Sequence, residues 1–268
     1  MRSRGPPCPT TSHRPANRRA RRSAEALVAL EHSLAIRRRI YPADHPEIGL
    51  ALGNVALVLQ DLRRFDEALV HQEQALVLAR RELGKDHTLV ATHLQNLATT
   101  LEDLQRVDEA EQRLLEARGI WARLGVADHP DAASAEQGLA RIFRIQGRLD
   151  EALAAIERAV EIRSVLGEHP LLGSDLHYLG EILLARGEPE RAVEPLRRSV
   201  AIPPGANGDE PERALAGRRL DLARALAARP EGRAEARALA EQARVVFDQT
   251  GQDDRRGQAD ALLESLGR

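Results

Sequence analysis

Asp86-His87-Thr88-Leu89-Val90-Ala91-Thr92-His93-Leu94-Gln95-Asn96-Leu97-Ala98, continued by Val107-Asp108-Glu109-Ala110 and closed by Leu124-Gly125, is one unit of a pattern that recurs along the chain. Its opening tripeptide has counterparts in Asp44-His45-Pro46 and Asp128-His129-Pro130, each 42 residues away, and in Glu168-His169-Pro170, 40 residues further on. A fixed period of this size is the signature of a solenoid, whose units stack because none can bury its apolar face alone.

Within each unit the apolar positions fall at helical spacing. Ile48, Leu52, Val55, Ala56 and Leu59 mark a first helix, Leu62-Arg63-Arg64-Phe65 a turn, and Ala68, Leu69, Ala75, Leu76 and Leu78 a second helix. Asp44 with Glu47, and Asp128 with Asp131, read as N-cap oxygens followed by an acid in the first turn. Gly84, Gly125 and Gly167 stand where second helices end, a place that favours left-handed backbone. Ala56, Ala98, Ala140, Gly180 and Ala223 recur in the first helices. Ala68, Ala110, Ala152, Ala192 and Ala236 recur in the second, and Ala75, Ala117, Ala159, Ser199 and Ala243 lie seven residues after those. Small side chains at these crossings let helix backbones approach closely.

These readings give an all-α chain, a right-handed α-solenoid of antiparallel helix pairs. Residues 1–22 are Arg- and Pro-rich and read as a disordered tail. Residues 23–250 form the solenoid, with a half-repeat at 23–43 and repeats at 44–85, 86–127, 128–167, 168–208 and 209–250. Residues 251–268 supply a capping helix over 252–266. In the half-repeat, Ala26, Leu27, Leu30, Leu34 and Ala35 make the apolar face. In the fourth repeat, Pro195 is expected to kink the second helix before Pro203-Pro204-Gly205 ends it. In the fifth, Pro230-Glu231-Gly232 lengthens the turn.

Composition agrees and excludes several functions. Aromatic residues make up 2% of the chain and hydrophobic residues 43%, so the core is aliphatic. Residues 1–22 carry seven arginines and no acid, which leaves 32 basic against 41 acidic residues elsewhere and argues against nucleic acid as the solenoid's partner. Cys8 is the only cysteine, so neither an internal disulfide nor a cysteine zinc cluster can form. No run of 18 apolar residues spans a membrane and no secretory h-region opens the chain, so the expected location is cytoplasmic. A single lysine, Lys85, among many arginines points to GC-rich bacterial codon usage.

No phosphate-binding glycine loop, nucleophile–base order or kinase string is present, so no catalytic residue and no cofactor is assigned. The repeated His45, His87, His129 and His169 are read as junction residues and not as metal ligands. Equivalent positions in successive repeats stand about 10 Å apart, too far to share one ion.

The Asp-His-Pro junctions, Asn96-Leu97-Ala98 and Phe65-Asp66-Glu67-Ala68 resemble tetratricopeptide repeat proteins, specifically the long-repeat subtype of kinesin light chains. The resemblance covers Ser23 to about Thr250. It implies a protein-binding scaffold whose first helices line a groove that takes a peptide or partner segment. Mapped residue by residue, the groove comprises Asn54; Gln95, Asn96, Thr99 and Glu102; Arg141 and Arg144; and His177 and Glu181. Gly138, Tyr178 and Asp221 replace asparagine in the later repeats. Acidic character in the second repeat and basic character in the third imply a partner carrying both charge signs. Two further readings stand beside this one: the regulatory part of a larger bacterial signalling protein, a serine/threonine kinase or nucleotide-binding regulator, and a module that self-associates through its N-terminal helix.

Overall fold

A computed structural model describes residues 14–205 and 211–267, with side chains described from residue 21 onward. Twelve α-helices occur among these residues: α1 (Arg14–Ile40), α2 (Pro46–Asp61), α3 (Phe65–Leu83), α4 (Thr88–Asp103), α5 (Val107–Arg123), α6 (Pro130–Ile145), α7 (Leu149–Ser164), α8 (Pro170–Ala185), α9 (Pro189–Ala201), α10 (Pro211–Ala227), α11 (Arg233–Gln249) and α12 (Asp253–Gly267). The described residues include no strand. Two compact units divide the chain at Leu124/Gly125. In the N-terminal unit each of α1 to α5 packs on its sequence neighbour; in the C-terminal unit α6 to α12 do the same. This is the all-α solenoid expected from the period.

In the first four pairs the helices are antiparallel because the turns joining them hold only three residues. Arg64 N–H donates to Leu59 O (2.9 Å), Arg106 N–H to Leu101 O (2.8 Å), Arg148 N–H to Phe143 O (2.8 Å) and Glu188 N–H to Leu183 O (2.9 Å). Each bond closes a Schellman turn, which requires left-handed backbone at the residue before the donor. That residue is Arg63 (φ 58°) or Gln105 (φ 60°) in the N-terminal unit, and Gly147 (φ 76°) or Gly187 (φ 75°) in the C-terminal unit. Gly84, Gly125 and Gly167 likewise have positive φ after the second helices.

All fifteen recurrent small positions are buried. Their most demanding member is Gly180, where an added Cβ would overlap the Leu196 side chain. Leu196 fills the volume that alanine occupies in the other repeats, so this crossing tolerates only glycine.

The junction chemistry corrects the expected caps. The N-cap residues are the histidines, not the aspartates. His45 Nδ1 accepts from Glu47 N–H (3.2 Å), His87 Nδ1 from Leu89 N–H (3.1 Å), His129 Nδ1 from Asp131 N–H (3.2 Å) and His169 Nδ1 from Leu172 N–H (3.4 Å). The aspartates turn back onto the second helix of their own repeat: Asp44 pairs with Arg81 (2.8 Å), Asp86 with Arg123 (2.6 Å), and Asp128 with Arg158. One residue therefore caps a helix start and its neighbour fastens the helix that returns.

Helix α1 begins earlier than expected. Residues 14–22, assigned to the tail, are helical, because arginine and alanine are strong helix formers and Pro15 sits in the first turn, where no N–H is required. Residues 1–13 of that tail lie outside the described residues. Leu27 and Leu34 join Ile48, Leu52 and Val55 in one cluster, with Leu30 at its edge. Ala26 and Ala35 are exposed, contrary to expectation. Ala26 corresponds to Ala68, which faces the first helix of its own repeat; no described helix occupies that place beside α1.

At the other end, helix α9 continues through Pro195 to Ala201. A short 3-10 turn, Pro230–Gly232, accommodates the insertion before α11. Ala259 of α12 is buried with Ala216, Leu220, Ala243 and Phe247, while Leu262 packs at the edge. No described helix is long and apolar enough to cross a membrane.

Candidate functional site

The groove residues expected from sequence fall into two sets, one in each unit. In the N-terminal unit, Asn54 of α2 and Thr99 of α4 are exposed, and Gln95, Asn96 and Glu102 of α4 are half-buried. Thr99 Oγ donates to Gln95 O (3.2 Å), so its hydroxyl is committed to its own helix. Gln60 Nε2 donates to Thr100 Oγ (2.7 Å) and fastens α2 to α4 beside Asn96. Elsewhere in this unit a mainly apolar cavity of about 670 Å³ is lined by Ile48, Leu52, Val70, Val77 and Leu78, with Arg38, Glu73 and Gln74 also at its wall.

The C-terminal set is denser in charge. Arg144 Nε donates to Tyr178 Oη at 2.6 Å, with its guanidinium carbon 5.0 Å from the ring centroid. Burial pushes the Tyr178 phenol above its usual value, opposed by the hydrogen bond from Arg144. His177 Nε2 lies 2.9 Å from Asp221 Oδ2, and Arg224 Nη1 lies 3.4 Å from Asp221 Oδ1. An ionised carboxylate can only accept, so the imidazole donates from Nε2. Glu181 stands one helical turn after His177, and the ligand atoms of His177, Glu181 and Asp221 all lie within 4.8 Å of one another. One imidazole and two carboxylates form a set able to hold a divalent ion, assembled from residues different from the junction histidines.

His177 and Tyr178 also line a cavity of about 340 Å³ whose other walls include Gln137 and Arg141 of α6, Ser174 of α8, Arg213 and Arg218 of α10, and Arg255 of α12. None of the described residues lining it is acidic. Ser174 Oγ donates to Pro170 O (3.1 Å), so its proton is held by the helix and not by His177. The arrangement presents donors to a ligand and does not align a nucleophile with a base.

Sequence reasoning does not place Arg218 at a site. Its guanidinium is buried, which pushes its pKa down, and Nη1 donates to Ser199 O (2.8 Å) and Ile202 O (2.9 Å), the open carbonyls at the end of α9. A second buried cation, Arg163 of α7, donates to the Asp175 carboxylate of α8 and to Ser134 Oγ of α6 (2.8 Å). Burial raises Asp175 to about 6 despite the neighbouring Arg163. The repeat register could have found Arg218 and Asp175. Arg218 aligns with Ala51, His93, Ala135 and Asp175, so an inward position otherwise filled by alanine carries a titratable side chain in three of five repeats.

A family model for the tetratricopeptide repeat matches residues 47–120, 95–164 and 131–204, and a second matches residues 16–47. The chain belongs to the tetratricopeptide repeat family. Its first helix, α1, lies largely within the second match.

Among solved structures, the repeat array resembles a Podosopora anserina protein described as a kinesin light chain with nearly identical TPR-like repeats. Identity is 26%, covering 77% of this chain and 98% of that one, with a TM-score of 0.62. BtubC (BKLC) from P. vanneervenii shares the fold at 20% identity, over 89% of this chain and 90% of that one, with a TM-score of 0.63. A Rap protein complexed with competence and sporulation factor shares it at 18% identity, over 92% and 71%, with a TM-score of 0.61. No curated protein sequence matches the chain. The long-repeat, kinesin-light-chain-like arrangement read from the junctions is thus present among its structural neighbours.

Proposed function

We propose that this tetratricopeptide array is a non-catalytic scaffold that binds a peptide or partner segment across its first helices, with Asn54, Gln95, Asn96, Thr99 and Glu102 contributing in the N-terminal unit and Arg141, Arg144, His177 and Glu181 in the C-terminal unit. The observation that carries the reading is the convergence of Arg141, His177 and Tyr178 on one cavity wall, with Arg144 bonded to that tyrosine. These residues depart from the repeat pattern: Arg141 aligns with Leu57 and Thr99, and His177 with Gly53 and Gln95. Polar side chains gathered at one place, two of them fixed by contacts to the neighbouring helix, are what a binding face requires. A guanidinium held against an aromatic ring is preorganised, and little entropy is lost when it engages a partner.

Selection of random peptides displayed on phage is the test. The intact protein should enrich a shared sequence, and Arg141→Glu with Arg144→Glu should reduce retention of the selected peptides by about tenfold or more, the size of one or two charge-assisted hydrogen bonds. The double variant loses the Arg144–Tyr178 contact, so its melt should fall slightly while circular dichroism shows it folded. Failure to enrich any sequence, or equal retention by a folded double variant, would overturn the assignment.

A further inference from the structure

The cavity in the C-terminal unit gathers more positive charge than closing helix ends requires. Four arginines reach it from three helices: Arg141 from α6, Arg213 and Arg218 from α10, and Arg255 from α12. Arg213 stands in the first turn of α10, and Arg255 belongs to the helix that follows the repeats. Ser174, Tyr178, Gln137 and Gln252 add neutral hydrogen-bonding groups, and Phe247 supplies an apolar surface. Two of the guanidiniums already have fixed positions. Arg218 is anchored on Ser199 O and Ile202 O, and Arg213 Nη2 donates to Thr250 O at 2.7 Å. The Arg218 anchors are neutral carbonyls, which hold the cation in place without cancelling its charge.

We infer that this cavity seats a phosphorylated serine or threonine side chain carried on the partner segment. The inference rests on the partner-binding reading above and names the chemistry recognised by the same face. A carboxylate brings one negative charge and two acceptor oxygens, whereas a phosphomonoester brings nearly two charges and three strong acceptors. Several guanidiniums in a cavity without an acidic wall match the second ligand, because each planar fork can engage a separate pair of oxygens. The volume of about 340 Å³ admits a phosphorylated side chain.

The experiment uses the full chain and three degenerate peptide libraries with a fixed central residue: serine, glutamate or phosphoserine. Binding is read by fluorescence polarisation in buffer containing EDTA. The phosphoserine library should bind on the order of tenfold or more tightly than the serine library, with glutamate between them. Arg255→Glu should erase that preference while the thermal melt is unchanged, and the milder Arg141→Gln should reduce it. Equal binding of the serine and phosphoserine libraries would overturn the phosphate seat and leave the scaffold reading standing. If no library binds while phage selection succeeds, only the seat is lost; if both fail, the scaffold reading falls with it. Competition by free phosphoserine at the peptide's own affinity would overturn the peptide as the source. A preference seen only when EDTA is omitted would overturn the arginine seat and transfer recognition to an ion on His177, Glu181 and Asp221.

Discussion

At the turn between paired helices, the N-terminal unit bends through Arg63 and Gln105, whereas the C-terminal unit bends through Gly147 and Gly187, all four at positive φ. The core differs in the opposite sense. The N-terminal unit fastens α2 to α4 through the neutral Gln60–Thr100 bond, while the C-terminal unit buries Arg163 against Asp175 and Arg218 against the end of α9. The cavities follow suit: one is mainly apolar, with Arg38 and Glu73 both at its wall, and the other is lined by four arginines and no acid. A shared repeat fixes the helix pairs, and each region spends its departures from the pattern differently. The N-terminal unit has strained turns around a largely apolar core; the C-terminal unit has relaxed turns around buried charge.

The largest expected asymmetry comes from breaking one buried contact in each unit. Asp175→Ala removes the buried acceptor of Arg163, whose side chain is 2% exposed, and leaving that donor unsatisfied should cost the C-terminal unit roughly 2–3 kcal/mol. Gln60→Ala removes a neutral bond and should cost the N-terminal unit about 1 kcal/mol. Hydrogen exchange resolved by peptide separates the two losses, and equal losses would remove the contrast.

Acidification sharpens the same comparison because the units should respond with opposite sign. Burial holds His93, in the N-terminal unit, below its usual 6.5, and does the same to His71. Their contribution is present above pH 6.5 and is lost as pH falls, because the unfolded chain then binds protons that the folded one refuses. Asp175 runs the other way. Its folded value of about 6 stands above the ordinary 3.8, so its contribution is full below pH 3.8 and is lost as pH rises through 6. Between about pH 7 and pH 5, protection of α8 should rise by on the order of 1 kcal/mol while protection of α4 falls. Asp175→Asn should abolish the first change and spare the second.

The smallest effect is at the turns. Left-handed backbone costs a non-glycine residue roughly 1–2 kcal/mol, so Arg63→Gly and Gln105→Gly should each raise the stability of the N-terminal unit by about 1 kcal/mol. Gly147→Arg and Gly187→Gln should lower that of the C-terminal unit by a similar amount. Urea titration of the four single variants measures both signs.

The helices are legible in the sequence because the period is carried by small and aliphatic residues whose burial is local to each repeat. Ala56, Ala68 and Ala75 announce crossings, and their burial follows from spacing alone. The caps are harder to read between adjacent residues: aspartate is the commoner cap, but Asp44, Asp86 and Asp128 are drawn to arginines 30 or 37 residues away that periodicity does not mark as partners. Arg144, His177 and Glu181 can be reached through the repeat register. The register also marks Arg218 as a departure, but Arg213 and Arg255 cannot be found that way, because they come to the cavity from a helix start and from a helix outside the repeats, and only three-dimensional packing brings them to Arg218.

The Asp-His junctions also have a consequence for how such a chain grows. The cap accepted by His45 and the ion pair of Asp44 with Arg81 both close inside one 42-residue cassette, as do those of Asp86-His87 with Arg123. A duplicated cassette therefore arrives with its own fastenings, and the array can lengthen without waiting for compensating changes in its neighbours. The fourth cassette lacks this independence, since its final carbonyls are held by Arg218 of the fifth. A copy of the fourth cassette without the fifth would leave those carbonyls open to water.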